Sequence, residues 1–248
     1  MSIRRHFIIA TALAAAFGGA VVHAQDRSPL RVGTDATFPP MEFVEGGNRT
    51  GFDVDLVEAI GKTLGRPVEW IDIDFKGLIP GLVSKRFDMA VSAIYITDER
   101  KKVVDFTNPY YAGGLVAMVK ENSPIKKLAD LDGKKVTVQV GTKSVGYLQE
   151  HYPKVQRVEV EKNQEMFNLV DIGRADAAVT GKPAAYQYVR TRPGLHVLDE
   201  QLTTEEYGMA LRKDEPELEK AINGALAQMK ADGTYAAIVK KWFPGGSK

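Results

Sequence analysis

Short apolar runs alternate with helix-period stretches along the chain, and the alternation runs through two successive series. In the first, residues 30–35 read as a strand, and Phe52, Leu56, Ile60 and Leu64 recur every four residues as the apolar stripe of a helix that Gly65 stops. Residues 67–73 read as the next strand, 78–82 as part of a helix and 87–94 as a third, buried strand. In the second series, residues 136–140, 155–160 and 175–180 read as strands, followed by helices from Ser144, over 163–172 and from Pro183. Strands separated by helices imply parallel sheets with crossover helices. A mature chain of this length with two such series suits two small α/β lobes better than one core. Residues 216–230 and 233–242 read as further helices, and the spacing of Leu218, Ile222, Leu226 and Met229 is that of a core face.

The N-terminus carries Arg4, Arg5 and His6, an apolar stretch over residues 7–22, and small residues around Ala24. That pattern reads as an export signal over residues 1–24, cleaved after Ala24, and the stretch is short and rich in Ala and Gly for a membrane span. The Arg4-Arg5 pair weakly resembles a twin-arginine signal, but no cofactor motif follows that would require folded export, so the general secretory route is expected. The expected location is the periplasm. The absence of cysteine excludes a disulfide framework, a thiol nucleophile and a lipidated cysteine. Removing the signal deletes two arginines and no acids, so the formal charge moves from +1 to −1, with 31 basic and 32 acidic residues remaining. A balance so close to zero argues against a nucleic-acid partner.

The third strand breaks into Thr97-Asp98-Glu99-Arg100, a helix start with Thr97 as N-cap and acids in the first turn. Arg100 then sits one turn into a short helix, where its planar fork and free backbone N–H groups can converge on one carboxylate. Read from spacing alone, an ion pair with Asp98 or Asp105 on a solvated face serves equally well.

Residues 92–111, running through Arg100 to Asn108-Pro109-Tyr110-Tyr111, resemble the arginine-bearing segment of periplasmic solute-binding proteins for polar amino acids, family 3. The glutamine-binding and lysine/arginine/ornithine-binding proteins belong to that family. Gly51-Phe52-Asp53-Val54-Asp55-Leu56 resembles its signature at the start of the first helix. The resemblance covers essentially the whole mature chain. It implies a two-lobed periplasmic-binding-protein fold of type II, each lobe a mainly parallel sheet flanked by helices, with two crossings near residues 110–114 and 205–209. The expected domains are 25–112 with 208–248 as lobe 1, and 113–207 as lobe 2. Gly113, Gly114 and Gly208 would supply hinge freedom or, alternatively, relieve tight packing.

Carried over residue by residue, the resemblance implies a ligand site made in lobe 1 by Asp35, Phe38, Phe75, Ser92, Ala93, Tyr95 and Arg100. Phe38 and Phe75 would wall the ligand's aliphatic part, Arg100 would clamp its carboxylate, and Asp35 would meet its side chain or cap the Asp35-Ala36-Thr37 turn. Lobe 2 would contribute Gln139, Thr142, a backbone N–H near Lys143, and Gly181. Two departures from the pattern stand out. The family's ammonium-binding aspartate is replaced by Gly181, and its hydroxyl partner by Tyr95. Desolvating an unpaired ammonium costs several kcal/mol, so either the ligand lacks an amino group, another acid such as Asp35 or Asp171 reaches it, or water and the Tyr95 hydroxyl take over.

The resemblance implies the substrate-binding component of an ABC importer, capturing a polar amino acid or related small carboxylate by hinge closure. Its expected partners are that ligand and an inner-membrane permease, with the protein a monomer. No cofactor or metal is expected. A periplasmic dehydratase on the same fold would need a poised acid or base, for which Asp35, Glu42 and Lys143 are the candidates, but no catalytic pairing stands out. A sensor's ligand-binding module is the third reading; an export signal without an anchor favours the importer.

Overall fold

The structure is a computed structural model that describes residues 28–244; the export-signal assignment at residues 1–24 lies outside the described residues. The chain opens with strand β1 (Leu30–Thr34), a small antiparallel meander of β2 (Thr37–Phe38), β3 (Glu42–Glu45) and β4 (Asn48–Thr50), and helix α1 (Phe52–Leu64). In α1 the expected stripe is realised: Phe52, Leu56 and Ile60 are buried, Asp53 and Asp55 occupy the first turn, and Gly65 ends it in the left-handed region at φ 68°. There follow β5 (Val68–Asp72), α2 (Leu78–Val83), β6 (Met89–Ala90), α3 (Asp98–Lys101), β7 (Asp105–Phe106) and β8 (Tyr111–Ala112). The second series is β9 (Leu115–Lys120), β10 (Lys135–Gln139), α4 (Lys143–His151), β11 (Gln156–Val160), α5 (Asn163–Asp171), β12 (Ala177–Gly181), α6 (Lys182–Thr191), β13 (Leu195–Gln201) and β14 (Glu206–Tyr207). The chain then returns through β15 (Ala210–Leu211) to α7 (Pro216–Ala231) and α8 (Thr234–Trp242).

Two five-stranded sheets result, ordered β5-β1-β6-β15-β7 and β11-β10-β12-β9-β13. Each has a parallel half, β5-β1-β6 and β11-β10-β12, extended by two antiparallel pairings. The fold is thus α/β with two sheet-and-helix lobes. The antiparallel pairings qualify the mainly parallel sheets expected: β9 and β13 are separated by the whole run from β10 to α6, and β7 and β15 span two residues each, too few to show a period. Helices α7 and α8 pack on α1, where Phe52 stacks against Tyr110 at 6.2 Å and meets Tyr235 and Phe243 edge-on.

The expected strand over residues 87–94 stops early. Only Met89 and Ala90 are in the ladder; Ala93 turns to φ 46° and its N–H is held by Asp53 Oδ2 of α1 at 2.9 Å. A buried carboxylate accepting from the backbone diverts the chain from the sheet at this point.

The two crossings run side by side as the antiparallel pair β8 and β14, with Tyr207 opposite Tyr111. Gly114 has φ +107°, and a Cβ there would lie 2.3 Å from the Thr203 carbonyl. Backbone conformation and packing therefore both require glycine at this crossing.

Candidate functional site

The ends of β1, β6, β10 and β12, with the loops that leave them, converge on one narrow cleft between the lobes. It is lined by Asp35, Phe38, Phe75, Ser92, Ala93 and Tyr95 from the first sheet's side, and by Gln139, Thr142 and Gly181 from the second's. Nine of the eleven candidate residues thus meet in one place. Arg100 and Lys143 do not line its interior. About 30 Å³ remains between the walls, room for water-sized groups only.

Direct contacts between the lobes hold the cleft nearly shut. Gln139 Nε2 donates to Asp35 Oδ2 at 2.8 Å, and Lys162 Nζ reaches Asp35 Oδ1 at 3.1 Å and Asp74 Oδ1 at 2.6 Å. Lys76 pairs with Glu161 at 2.5 Å, and a Cβ at Gly141 would lie 2.8 Å from the Lys76 Cα. Asp35 is consequently well occupied, because it also accepts from the Thr37 hydroxyl at 3.1 Å and the Phe75 N–H at 3.2 Å. The turn-cap role and the cleft-facing role hold together. Burial works against the charge of Lys162, but its hydrogen bonds to Asp74 and Asp35 prevail and raise its pKa.

Arg100 follows the expected helix start: Thr97 Oγ1 accepts the Arg100 N–H at 3.2 Å. Its guanidinium lies over the Phe75 ring, 5.6 Å from the centroid, donating to the Tyr95 carbonyl at 2.8 Å and, across the lobes, to the Gly141 carbonyl at 3.4 Å. Among the described residues it forms no ion pair, so the alternative pairing with Asp98 or Asp105 is absent. Burial pushes its pKa down to about 10, which leaves it charged at neutral pH. Lys143 opens α4, and its ammonium turns away to Glu205 at the second crossing. That helix start adjoins the cleft through Ser144 and Thr142, whose hydroxyl donates to the Gln139 carbonyl at 2.7 Å.

At Gly181 the space for a side chain is already filled. A Cβ there would lie 2.5 Å from the Tyr207 hydroxyl, 2.9 Å from the Phe38 ring and 3.3 Å from the Tyr95 hydroxyl. Those two hydroxyls bond each other at 3.1 Å, and Tyr95 donates on to the Gly114 carbonyl at 2.8 Å. Burial raises the pKa of both phenols and keeps them neutral. Asp171 ends α5, faces Arg192 at 4.0 Å and does not line the cleft, which removes it as an ammonium partner.

The cleft contains residues outside the eleven ligand-site candidates: Tyr207, Thr180, Ser144, Asn163 and, on its inner wall, Glu42, which the sequence offered only as a candidate acid or base. Asn163 donates to Gln139 Oε1 at 2.9 Å and so orients it. Glu42 is buried beside Asp53 and accepts from Ser92 Oγ at 2.7 Å. Burial, then the neighbouring Asp53, raises its pKa well above the carboxylate range. Glu42 follows the turn Pro39-Pro40 and precedes Phe43, and that placement of an acid among apolar residues was its only sequence signal. Among the described residues no cluster of three or more His, Asp or Glu side chains is placed to hold a metal ion.

Residues 30–245 match the family described as bacterial extracellular solute-binding proteins, family 3. The chain is 34% identical over 238 residues to ABC transporter arginine-binding protein 1 of Escherichia coli (strain K12), covering 94% of this chain and 98% of that one. It is 32% identical over 252 residues to the histidine-binding periplasmic protein of the same strain, covering 96% and 97%. Among solved structures it resembles the ancestral amino acid-binding protein AncCDT-1, a precursor of cyclohexadienyl dehydratase, with TM-score 0.83, 43% identity and coverage of 88% and 96%.

Proposed function

Because the chain belongs to the bacterial extracellular solute-binding proteins of family 3, we propose how its interlobe cleft performs that family's task. The protein is the periplasmic, amino-acid-binding component of an ABC importer. In our reading Arg100 takes the ligand carboxylate from lobe 1, the N–H groups at the start of α4 take it from lobe 2, and Phe38 and Phe75 flank the rest of the molecule. Since the carboxylate touches both lobes only when they are together, binding energy goes into closure. The lobes are residues 25–112 with 208–248, and 113–207; the signal is removed after Ala24; the protein works as a monomer whose closed form a permease reads. Catalysis is not part of this reading, and AncCDT-1 is itself an amino acid-binding protein.

The observation that carries the proposal is the Arg100 guanidinium, held on Phe75 between the lobes with carbonyls for partners and no carboxylate. A thermal-shift panel of L-arginine, L-histidine, L-glutamine and simple dicarboxylates on refolded, ligand-stripped protein tests it, because a ligand of the native state raises Tm. Stabilisation by at least one amino acid is expected. Silence across the panel would contradict it.

A further inference from the structure

The family's ammonium-binding acid is replaced by glycine, and the tyrosine hydroxyls that crowd Gly181 leave no room to restore it. The negative charge of the cleft lies elsewhere. Glu42 stands opposite Phe38 in the β2–β3 pairing, only 1% exposed, with one oxygen on the Ser92 hydroxyl and the other without a donor. Asp53, also 1% exposed, has the same asymmetry: Oδ2 accepts from the Ala93 N–H and the Tyr110 hydroxyl, both at 2.9 Å, while Oδ1 has no donor. The charge of Asp53 adds to the burial that raises the pKa of Glu42, so the two carboxyls lie within electrostatic reach of each other. Two buried acids so placed disfavour each other's charge, and one of them is kept neutral. The pair therefore holds one proton and one negative charge against the cleft wall.

The surroundings do not neutralise that charge. Asp53 faces Glu42 from α1 and Asp35 from the turn after β1, and both disfavour its ionisation; Ser92 supports it. Tyr110 and Tyr207 are the neighbouring phenols, kept neutral by burial. The nearby cations are engaged elsewhere: Lys162 with Asp35 and Asp74, and Arg100 with backbone carbonyls. A buried acid pair whose Glu42 lines the ligand cleft, and which has no counter-ion among the described residues, fits a cationic guest.

We propose that Glu42, backed by Asp53, is the group that accepts the ammonium of an amino-acid ligand, so that Gly181 marks a relocated ammonium site and not the loss of one. The ligand class is then a zwitterion, its carboxylate at Arg100 and its ammonium at Glu42. This rests on the amino-acid-binding reading above. An arriving ammonium stabilises the fully ionised pair, so the pair's proton leaves on binding.

Calorimetric titration with matched probes separates the two levels. The probes are L-arginine, L-histidine and L-glutamine, each against its counterpart without the amino group: 5-guanidinopentanoate, 3-(imidazol-4-yl)propanoate and glutaramate. The unaltered protein is expected to prefer an amino acid over its counterpart by about 100-fold, and near-isosteric Glu42→Gln to shrink that preference to within about 10-fold. Equal or tighter binding of the counterparts overturns the ammonium site and leaves the carboxylate-binding function standing. A preference undiminished in Glu42→Gln overturns it too, and binding of no probe removes the underlying reading with it. A second measurement needs no variant. Titrations near pH 6 in two buffers of different ionisation enthalpy should show protons released with the amino acid and not with its counterpart; equal proton counts contradict the proposal.

Discussion

The two lobes share a sheet plan, three parallel strands extended by two antiparallel pairings, yet they bring different chemistry to the cleft. Lobe 1 brings a buried polar floor: Glu42 accepts from the Ser92 hydroxyl, Asp53 accepts from the Ala93 N–H and the Tyr110 hydroxyl, and all are shut off from solvent. Lobe 2 brings neutral groups, Gln139, Thr142, Thr180 and Gly181, and reaches the other lobe with Lys162 from the cleft's rim. Buried networks of the first kind have little freedom to rearrange, whereas half-exposed ion pairs such as Lys162 with Asp74 contribute little each and break readily. On the proposed reading, the difference makes lobe 1 a preformed half-site and lobe 2 its cover.

The largest effect expected is on lobe 1. Arg100→Ala should weaken binding of any carboxylate ligand by roughly 100-fold or more, measured by calorimetry; unchanged affinity would break the assignment of the clamp to lobe 1. Next comes Gly181→Asp, which restores the acid that the family resemblance leads one to expect there but drives it into the Tyr207 hydroxyl and the Phe38 ring. Overpacking of this kind costs about 1–3 kcal/mol, so a lowered Tm without tighter amino-acid binding is expected; tighter binding would show that lobe 2 can hold the ammonium.

How much of this was legible in the sequence depends on distance along the chain. Helix α1 was readable because its stripe spans three turns, and Thr97 and Arg100 were readable because an N-cap and its helix lie within four residues. The strands β6, β7, β14 and β15 span two residues each and carry no period. The Asp35–Lys162 contact joins residues 127 positions apart, and no local pattern announces it. The Glu42–Asp53 pair stayed hidden for a different reason. Asp53 reads as an ordinary first-turn acid, and only the β3–β4 turn brings Glu42 back against it.

Two smaller effects sharpen the contrast. The buried pair should give the ligand-free protein an acid-favoured stability: Glu42 and Asp53 have folded-state pKa values raised by burial, Asp53 to about 6, so the native state binds protons that the unfolded chain releases. That stabilisation is complete below the ordinary carboxylate values and is lost as pH rises through the raised ones. Tm of the ligand-free protein should therefore decline from about pH 4.5 upward, less steeply in Glu42→Gln; identical pH slopes would show that the pair holds no proton. The smallest change is expected from Lys162→Met, which removes the cover's tie to Asp35 and Asp74. Small-angle scattering of the ligand-free variant should show a modestly larger radius of gyration at nearly unchanged Tm, and an unaltered radius would mean that the lobes stay together without this tie.

The most direct test of lobe 1 as the half-site that takes both charged ends is a crystal structure with the amino acid that gives the largest thermal shift. The expected result is a carboxylate on Arg100 and the N–H groups of the α4 start, with the ammonium within hydrogen-bond distance of Glu42. An ammonium held by lobe-2 groups, with Glu42 still bonded only to Ser92, would contradict the account.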